Sequence, residues 1–174
     1  MAQTSIQFKL DGAGWADLEI LSSDQRALVS PISYCSDALD DLLRMGIDIA
    51  TEKGIGAAIF DHEPGLSVLV AETAWIEHND WHFGARLSVV RDLHHFVQPS
   101  FKWRASVQAD VVVHVGSRDE LARLFLEAAL RVREERGEEG YHKLWGGRLG
   151  FPRRALAALE AALSTVPHEV EPYG

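Results

Sequence analysis

The chain has 174 residues, of which 47% are apolar and 25% are charged, and its formal net charge is -9. A chain of this length and apolar content can bury one continuous core, so we expect a single domain, residues 1–165, followed by a C-terminal tail, residues 166–174. The acidic balance disfavours nucleic-acid binding, which depends on positive charge to neutralise phosphates.

The sequence carries no feature of export or membrane insertion. It begins without a basic region followed by an apolar run, and no stretch approaches about eighteen consecutive apolar residues. Cys35 is the only cysteine, so no intramolecular disulfide forms, which suits a reducing compartment. We therefore expect a cytoplasmic protein that makes no contact with a membrane.

The negative charge is unevenly distributed along the chain. Residues 1–100 contain 15 acidic and 6 basic side chains, whereas residues 101–174 contain 11 of each. An acidic surface attracts basic protein partners through long-range electrostatics. The same charge is also an ordinary means of keeping a protein soluble, and the sequence alone leaves both explanations open.

Alternating apolar residues predict short strands in the first part of the chain. Residues 5–10 and 15–21 alternate on either side of a glycine-rich link, which predicts an opening hairpin. Residues 25–30 predict a third strand, and Pro31 ends it or confines it to a sheet edge. From Ser36, a residue type favoured at helix N-caps, the apolar spacing becomes helical.

The middle of the chain returns to strand patterns. Residues 55–60 and 66–75 are separated by a Pro-Gly link, which predicts a second hairpin, and residues 85–89 predict another strand. The longest alternation covers residues 101–115, where every odd position is apolar. This alternation predicts a long strand with one buried face.

Two helices are predicted after this strand. Ser117 and Glu120 form a capping box, apolar residues follow at helical spacing, and Gly137 is expected to end the helix. We expect this helix to lie on the apolar face of the sheet that contains residues 101–115. Pro152 suits the first turn of a last helix.

The order of these elements indicates an α+β fold. Short links between the strands favour a mainly antiparallel sheet of about six or seven strands, with two or three helices packed on one face. Only one helix is inserted among the strands before residue 55, which argues against alternating βαβ units.

Candidate catalytic and metal-binding residues are few. The eight histidines show no metal-ligand spacing, so we expect neither a metal nor a cofactor. Asp61, His62 and Glu63 place two carboxylates and an imidazole at a predicted hairpin tip, where acid–base chemistry is conceivable but a solvated turn is the simpler explanation.

Cys35 precedes a predicted helix, where the helix dipole lowers the pKa of a thiol. A nucleophilic role would also require a histidine close in space. The alternative is that this lone cysteine is an inert, small buried hydrophobic residue.

A second candidate site is basic. Glycines lead into the start of the last helix, and Gly147, Arg148, Arg153, Arg154 and His142 could bind an anionic ligand such as phosphate or carboxylate. The spacing does not match a P-loop. The alternative is that these cations pair with the acidic first part of the chain and hold the last helix in place.

The leading hypothesis from the sequence is a small acidic binding protein that recognises a basic protein partner without catalytic chemistry. Trp81, beside a predicted turn, and the acidic residues Asp61 and Glu63 are its candidate interface residues. The alternative is an enzyme or small-molecule binder that recognises an anion at residues 146–154. A homodimer, in which the partner is a second copy of the chain, is a third hypothesis.

Overall fold

A computed structural model describes residues 4–22, 25–51, 55–63, 65–78, 80–92 and 106–164. Within these ranges the chain forms seven strands and three helices. The strands are β1 (Ser5–Gly12), β2 (Trp15–Ser22), β3 (Gln25–Ser33), β4 (Ile55–Asp61), β5 (Leu66–His78), β6 (Asp80–Asp92) and β7 (Ser106–His114). The helices are α1 (Ala38–Ala50), α2 (Arg118–Leu144) and α3 (Arg153–Ser164).

The strands form two antiparallel sheets, one with the order β1-β2-β3 and the other with the order β4-β5-β6-β7. This confirms the predicted α+β class, although the strands divide between two sheets. Each sheet has one face against a shared core to which all three helices contribute. The short hairpin links make neighbouring strands antiparallel, as the pattern of the sequence predicts.

The third strand is longer than its sequence suggests. β3 continues through Pro31 to Ser33, because it lies at the edge of its sheet, where a residue without an N–H group is tolerated. The register between β2 and β3 shifts between Ala16 and Leu18, which accommodates the irregular end of the strand.

Helix α1 begins one residue later than predicted. Asp37 is its N-cap and makes no side-chain capping hydrogen bond. The hydroxyl of Ser36, the predicted cap, instead accepts a 3.2 Å hydrogen bond from the backbone N–H of Asp61. Ser36 therefore connects the start of α1 to the end of β4.

Helix α2 has the predicted N-terminus, and its first helical segment ends at the predicted residue. The N–H of Glu120 donates to Ser117 Oγ at 3.2 Å, and the Glu120 carboxylate accepts from the N–H of Gly116. Gly137, with φ of 65° and ψ of 167°, is not helical, so α2 consists of two helical segments, the second of which continues to Leu144. The main neighbours of α2 are α1 and β1, so this helix packs against the three-stranded sheet. The prediction that it lies on the sheet containing β7 is therefore wrong.

No helix among the described residues combines the length and apolar character that crossing a membrane requires. Two sequence predictions lie outside the described residues. These are residues 101–105, the start of the predicted long strand, and the tail at residues 166–174.

Candidate functional site

Strand β4 is apolar on both sides, although only one side faces the core. Gly56, Ala58 and Phe60 are buried. Ile55 and Ile59, which alternate with them, are each 51% exposed. Exposing large aliphatic side chains to water on a sheet face is unfavourable, and a partner that covers them removes this cost.

The apolar surface continues onto the neighbouring strands. Ala57 lies opposite Val70 and Ile59 lies opposite Val68 on β5, while Val68 lies opposite Val90 on β6. The three valines are half-buried. The outer patch is the name used here for the six residues Ile55, Ala57, Ile59, Val68, Val70 and Val90.

Acidic residues border the outer patch at both ends of β4. Glu72, which is exposed, lies opposite Ile55, and Asp61 ends the strand with Glu63 two residues later. Arg86 lies opposite Glu72. An apolar centre with a charged rim is the usual organisation of a protein–protein interface.

The turn after β4 brings together two candidates that are far apart in the sequence. The thiol of Cys35, between β3 and α1, donates a 2.6 Å hydrogen bond to the Glu63 carboxylate. Asp61 supports this turn, because its side chain accepts from the N–H of Glu63 at 3.0 Å. The result is a thiol–carboxylate pair on an exposed turn.

His62 lies in the same turn but points into the protein. Its Nδ1 contacts the carbonyl oxygen of Pro31, and its Nε2 lies 2.5 Å from Ser67 Oγ. A carbonyl can only accept, so Nδ1 carries a proton, and in the neutral ring Nε2 accepts from the hydroxyl of Ser67. Both ring nitrogens are therefore engaged, and His62 holds the turn against β3 instead of serving Cys35 as a base.

The electrostatics of Cys35 are opposite to the dipole argument and agree with an inert thiol, although the side chain is exposed and not buried as that alternative predicts. The hydrogen bond to the Glu63 carboxylate raises the pKa of the Cys35 thiol, because ionisation would place two negative charges side by side. The thiolate is the reactive form of cysteine. The arrangement therefore suppresses nucleophilic chemistry at Cys35.

We expect Glu63→Gln to increase the alkylation rate of Cys35 by iodoacetamide a few-fold near pH 8, because removing the carboxylate lowers the pKa of the thiol. The rate should be measured as a function of pH, and Cys35 is the only thiol that can react. Glu72→Gln, a change at a remote exposed carboxylate, is the matched control. An unchanged pH–rate profile in Glu63→Gln would contradict this assignment.

The predicted anion-binding residues lie near one another, but most already have partners. The guanidinium of Arg148 lies 5.5 Å from the centre of the Tyr34 ring, and Arg153 forms an ion pair with Glu138 of α2. His142 Nδ1 is 3.0 Å from the carbonyl oxygen of Leu149. An incoming anion would therefore compete with these internal contacts.

The other two candidates, Arg154 and Gly147, do not create a cluster of positive charge. Arg154 is exposed and makes no ion pair with the described residues, and Gly147 has no side chain with which to shape a site. The partner of Arg153 is also in the second half of the chain. The alternative prediction, that these cations pair with the acidic first part of the chain, is therefore wrong for Arg153.

Trp81 is distant from the acidic interface candidates. It lies opposite Glu77 near the far end of the β5–β6 hairpin, whereas Asp61 lies opposite Leu66 at the start of β5. Leu66 and Glu77 are eleven positions apart along β5, a length of about 36 Å. One small contact surface cannot include both Trp81 and Asp61.

In the part of the chain that the structure describes, no three or more histidine, cysteine, aspartate or glutamate side chains are arranged to hold a metal ion.

Sequence reasoning did not single out the outer patch, although a signal was present. Residues 55–60 and 67–71 contain apolar residues at both odd and even positions. A strand with two apolar sides is typical of a sheet that is covered on both faces. The pattern predicts the strands but does not show which of their two apolar faces is left exposed.

Comparisons with protein-family models, with curated proteins and with solved structures found no match to this chain.

Proposed function

We propose that this protein is a cytoplasmic binding protein that recognises a basic protein partner through the outer patch. The observation that carries the proposal is the exposure of Ile55 and Ile59, each 51% exposed, on an apolar sheet face. The acidic rim and the negative charge of residues 1–100 supply attraction to a positively charged surface. A cytoplasmic location would keep the free thiol of Cys35 reduced.

The acidic rim also favours a basic partner over a second copy of the chain. In a two-fold symmetric dimer, the same surface of each subunit faces the other. The outer patches would then bring Asp61, Glu63 and Glu72 of both copies into one rim, where Arg86 offsets only one of the three negative charges of each copy and the net negative charges repel. A partner with lysine or arginine around an apolar centre removes this penalty.

The proposal can be tested by introducing the photo-crosslinking residue p-benzoylphenylalanine at position 59 in cells and identifying the product by mass spectrometry. We expect a crosslink to a protein of positive net charge. The matched control is position 28, because Leu28 is 48% exposed on the other sheet. The same crosslink at both positions, a crosslink to a second copy, or a crosslink to an acidic protein would contradict the proposal.

The identified partner then allows a quantitative test. We expect Ile59→Asp to weaken its affinity at least about tenfold, because a charge would be buried at the centre of the interface. Leu28→Asp should leave the affinity unchanged. The affinity of the unmodified protein should fall as salt concentration rises, and an affinity that is independent of salt would refute electrostatic recognition.

A further inference from the structure

The outer edge of β4 is occupied by residues around the start of α1. The backbone N–H of Asp61 donates to Ser36 Oγ at 3.2 Å, and the backbone N–H of Ile59 donates to the carboxylate of Asp41. A strand added to this edge would need both N–H groups, and both already have acceptors. A partner that binds the outer patch therefore contacts its side chains and does not extend the sheet.

The outer patch is longest along β4. Ile55, Ala57 and Ile59 occupy alternate positions of this strand, and Val68 and Val70 lie beside them on β5. Ile55 and Ile59 are four positions apart, which corresponds to about 13 Å of strand. The apolar surface therefore runs parallel to the strands over this distance.

The width of the outer patch is limited by β6. Only Val90 extends the apolar surface onto this strand, because Ser88 and Arg86 occupy the next two positions of the same face. Neighbouring strands are about 4.8 Å apart, so β4, β5 and β6 together span about 10 Å.

These dimensions match a single helix. An α-helix with its side chains is about 10–12 Å in diameter, and a helical segment of about nine residues is about 13 Å long. A partner sheet would extend further across the strands and would place apolar side chains against Ser88 and Arg86. The shape of the outer patch therefore favours a helix over a sheet.

The opposite face of β4 already carries a helix. Among the described elements outside its own sheet, α1 is the main neighbour of β4. The two elements are close together, since a Cβ added to Gly56 would lie 2.8 Å from Cγ of Met45. Strands with two apolar faces are typical of a sheet that has helices on both sides. A helix on the outer patch would produce this arrangement at β4.

The negative charge of the rim is concentrated at one end of the outer patch. Asp61 accepts from the N–H of Glu63, and Glu63 accepts from the thiol of Cys35, so both carboxylates bind neutral donors. Neither carboxylate forms an ion pair with another described residue. At the other end, Arg86 lies opposite Glu72 and offsets its charge. A basic side chain is therefore most strongly attracted to the end that contains Asp61 and Glu63.

We propose that the basic partner presents an amphipathic α-helix to the outer patch, with its apolar stripe along β4 and β5 and with lysine or arginine beside Asp61 and Glu63. This inference rests on the proposed function and specifies the segment of the partner that binds. Apolar residues at positions i, i+3, i+4 and i+7 form the stripe and provide affinity. The basic residues determine which end of the helix lies at the acidic end of the patch.

The probe is the acetylated and amidated peptide Ala-Gln-Leu-Ala-Gln-Leu-Leu-Ala-Gln-Leu-Ala-Gln-Lys-Lys, titrated against the full chain and followed by NMR. In a helix its leucines form one stripe and its lysines lie at one end. We expect binding to shift the amide signals of β4 and β5. A control peptide with D-alanine in place of the second and third alanines has the same composition and charge. It should bind at least about tenfold more weakly, because D-residues disrupt a right-handed helix.

Substitutions in the protein test where the peptide binds. Ile55→Ser with Ile59→Ser should weaken binding of the helical peptide at least about tenfold, because the apolar contact is lost without a change in charge. Leu28→Ser, at a similarly exposed position of the other sheet, is the control and should leave the affinity unchanged.

The role of the acidic end is tested separately. Asp61→Asn with Glu63→Gln should weaken binding of the helical peptide about threefold or more, because the lysines lose two opposite charges. Glu134→Gln with Glu135→Gln is the matched control and should have no effect. It removes the same charge from exposed positions of α2, a helix that packs on α1 and β1.

The partner identified by crosslinking at position 59 provides the same test with the natural segment. We expect the crosslinked segment to be an amphipathic helix. A proline introduced at its centre should weaken the affinity at least about tenfold, because proline breaks a helix.

Several outcomes would overturn the helix proposal. These are no binding of the helical peptide at millimolar concentration, equal binding of the D-alanine peptide, equal effects of the two pairs of charge substitutions, or a crosslinked segment that tolerates proline. The proposed function is judged by the crosslinking experiment instead. A basic protein captured at position 59 through a segment that is not helical would support the proposed function and overturn the helix.

Discussion

Replacing Trp145 with alanine is expected to lower the free energy of unfolding by about 3–5 kcal/mol, the usual cost of removing a large buried aromatic side chain. Trp145 is fully buried. Its ring is stacked 6.0 Å from that of Tyr141 and packs edge-on 6.0 Å from that of Phe8. The substitution would therefore leave a cavity between β1 and the end of α2, measurable by urea denaturation followed by circular dichroism.

Trp145→Phe is the control that retains an aromatic ring at this position and removes the indole N–H. The indole Nε1 is buried without a hydrogen-bond partner among the described residues. Phenylalanine retains much of the aromatic packing and removes only this N–H and part of the ring, so we expect a cost below about 1.5 kcal/mol. Equal losses in the two variants would contradict this account, because they would show that the aromatic ring retained by phenylalanine does not contribute to stability.

The neighbourhood of Trp145 joins three distant parts of the chain. The N–H of Gly14, in the β1–β2 turn, donates to the carbonyl of Leu144 at 2.7 Å, and the Gly14 carbonyl accepts from the N–H of Tyr34 at 2.8 Å. The turn thereby connects the end of α2 to the segment between β3 and α1. This segment includes Cys35, so the same junction positions the exposed thiol.

Most of the fold could be predicted because it depends on local patterns. Alternation located the strands, and the Ser117–Glu120 capping box located the start of α2 within a residue. The pairing of the helices with the sheets could not be predicted in the same way. An amphipathic stripe shows that a helix is buried on one side, but it does not identify the surface opposite, which for α2 is β1 and α1.

Less of the candidate site could be predicted than of the fold, because the site depends on contacts between residues that are far apart in the sequence. The Cys35–Glu63 pair joins residues that are 28 positions apart, and no local pattern predicts that contact. The dipole argument for Cys35 failed for the same reason, since the neighbouring carboxylate dominates its pKa. The outer patch was visible as two-sided apolar strands, but the sequence does not show which of the two sides the helices leave uncovered.

Gly14→Ala is expected to destabilise the protein by about 3 kcal/mol or more, because two separate penalties coincide at this position. Gly14 has φ of +83°, a left-handed conformation that costs a residue with a Cβ atom about 1–2 kcal/mol. An added Cβ would also lie 2.4 Å from Cδ1 of Tyr34. Thermal and urea denaturation should both report the loss.

Two further variants separate the penalties at Gly14. Gly147 has φ of +69° and nothing within 4 Å of an added Cβ, so Gly147→Ala should cost only about 1–2 kcal/mol from the backbone conformation. Most of the steric penalty should disappear when the ring is removed, because only the 3.2 Å contact with Cβ of Tyr34 remains. Gly14→Ala combined with Tyr34→Ala should therefore be less destabilising than the sum of the two single changes. Strict additivity would mean that Tyr34 moves aside freely, and the close packing of its ring against the β1–β2 turn would then not contribute to the stability of the junction.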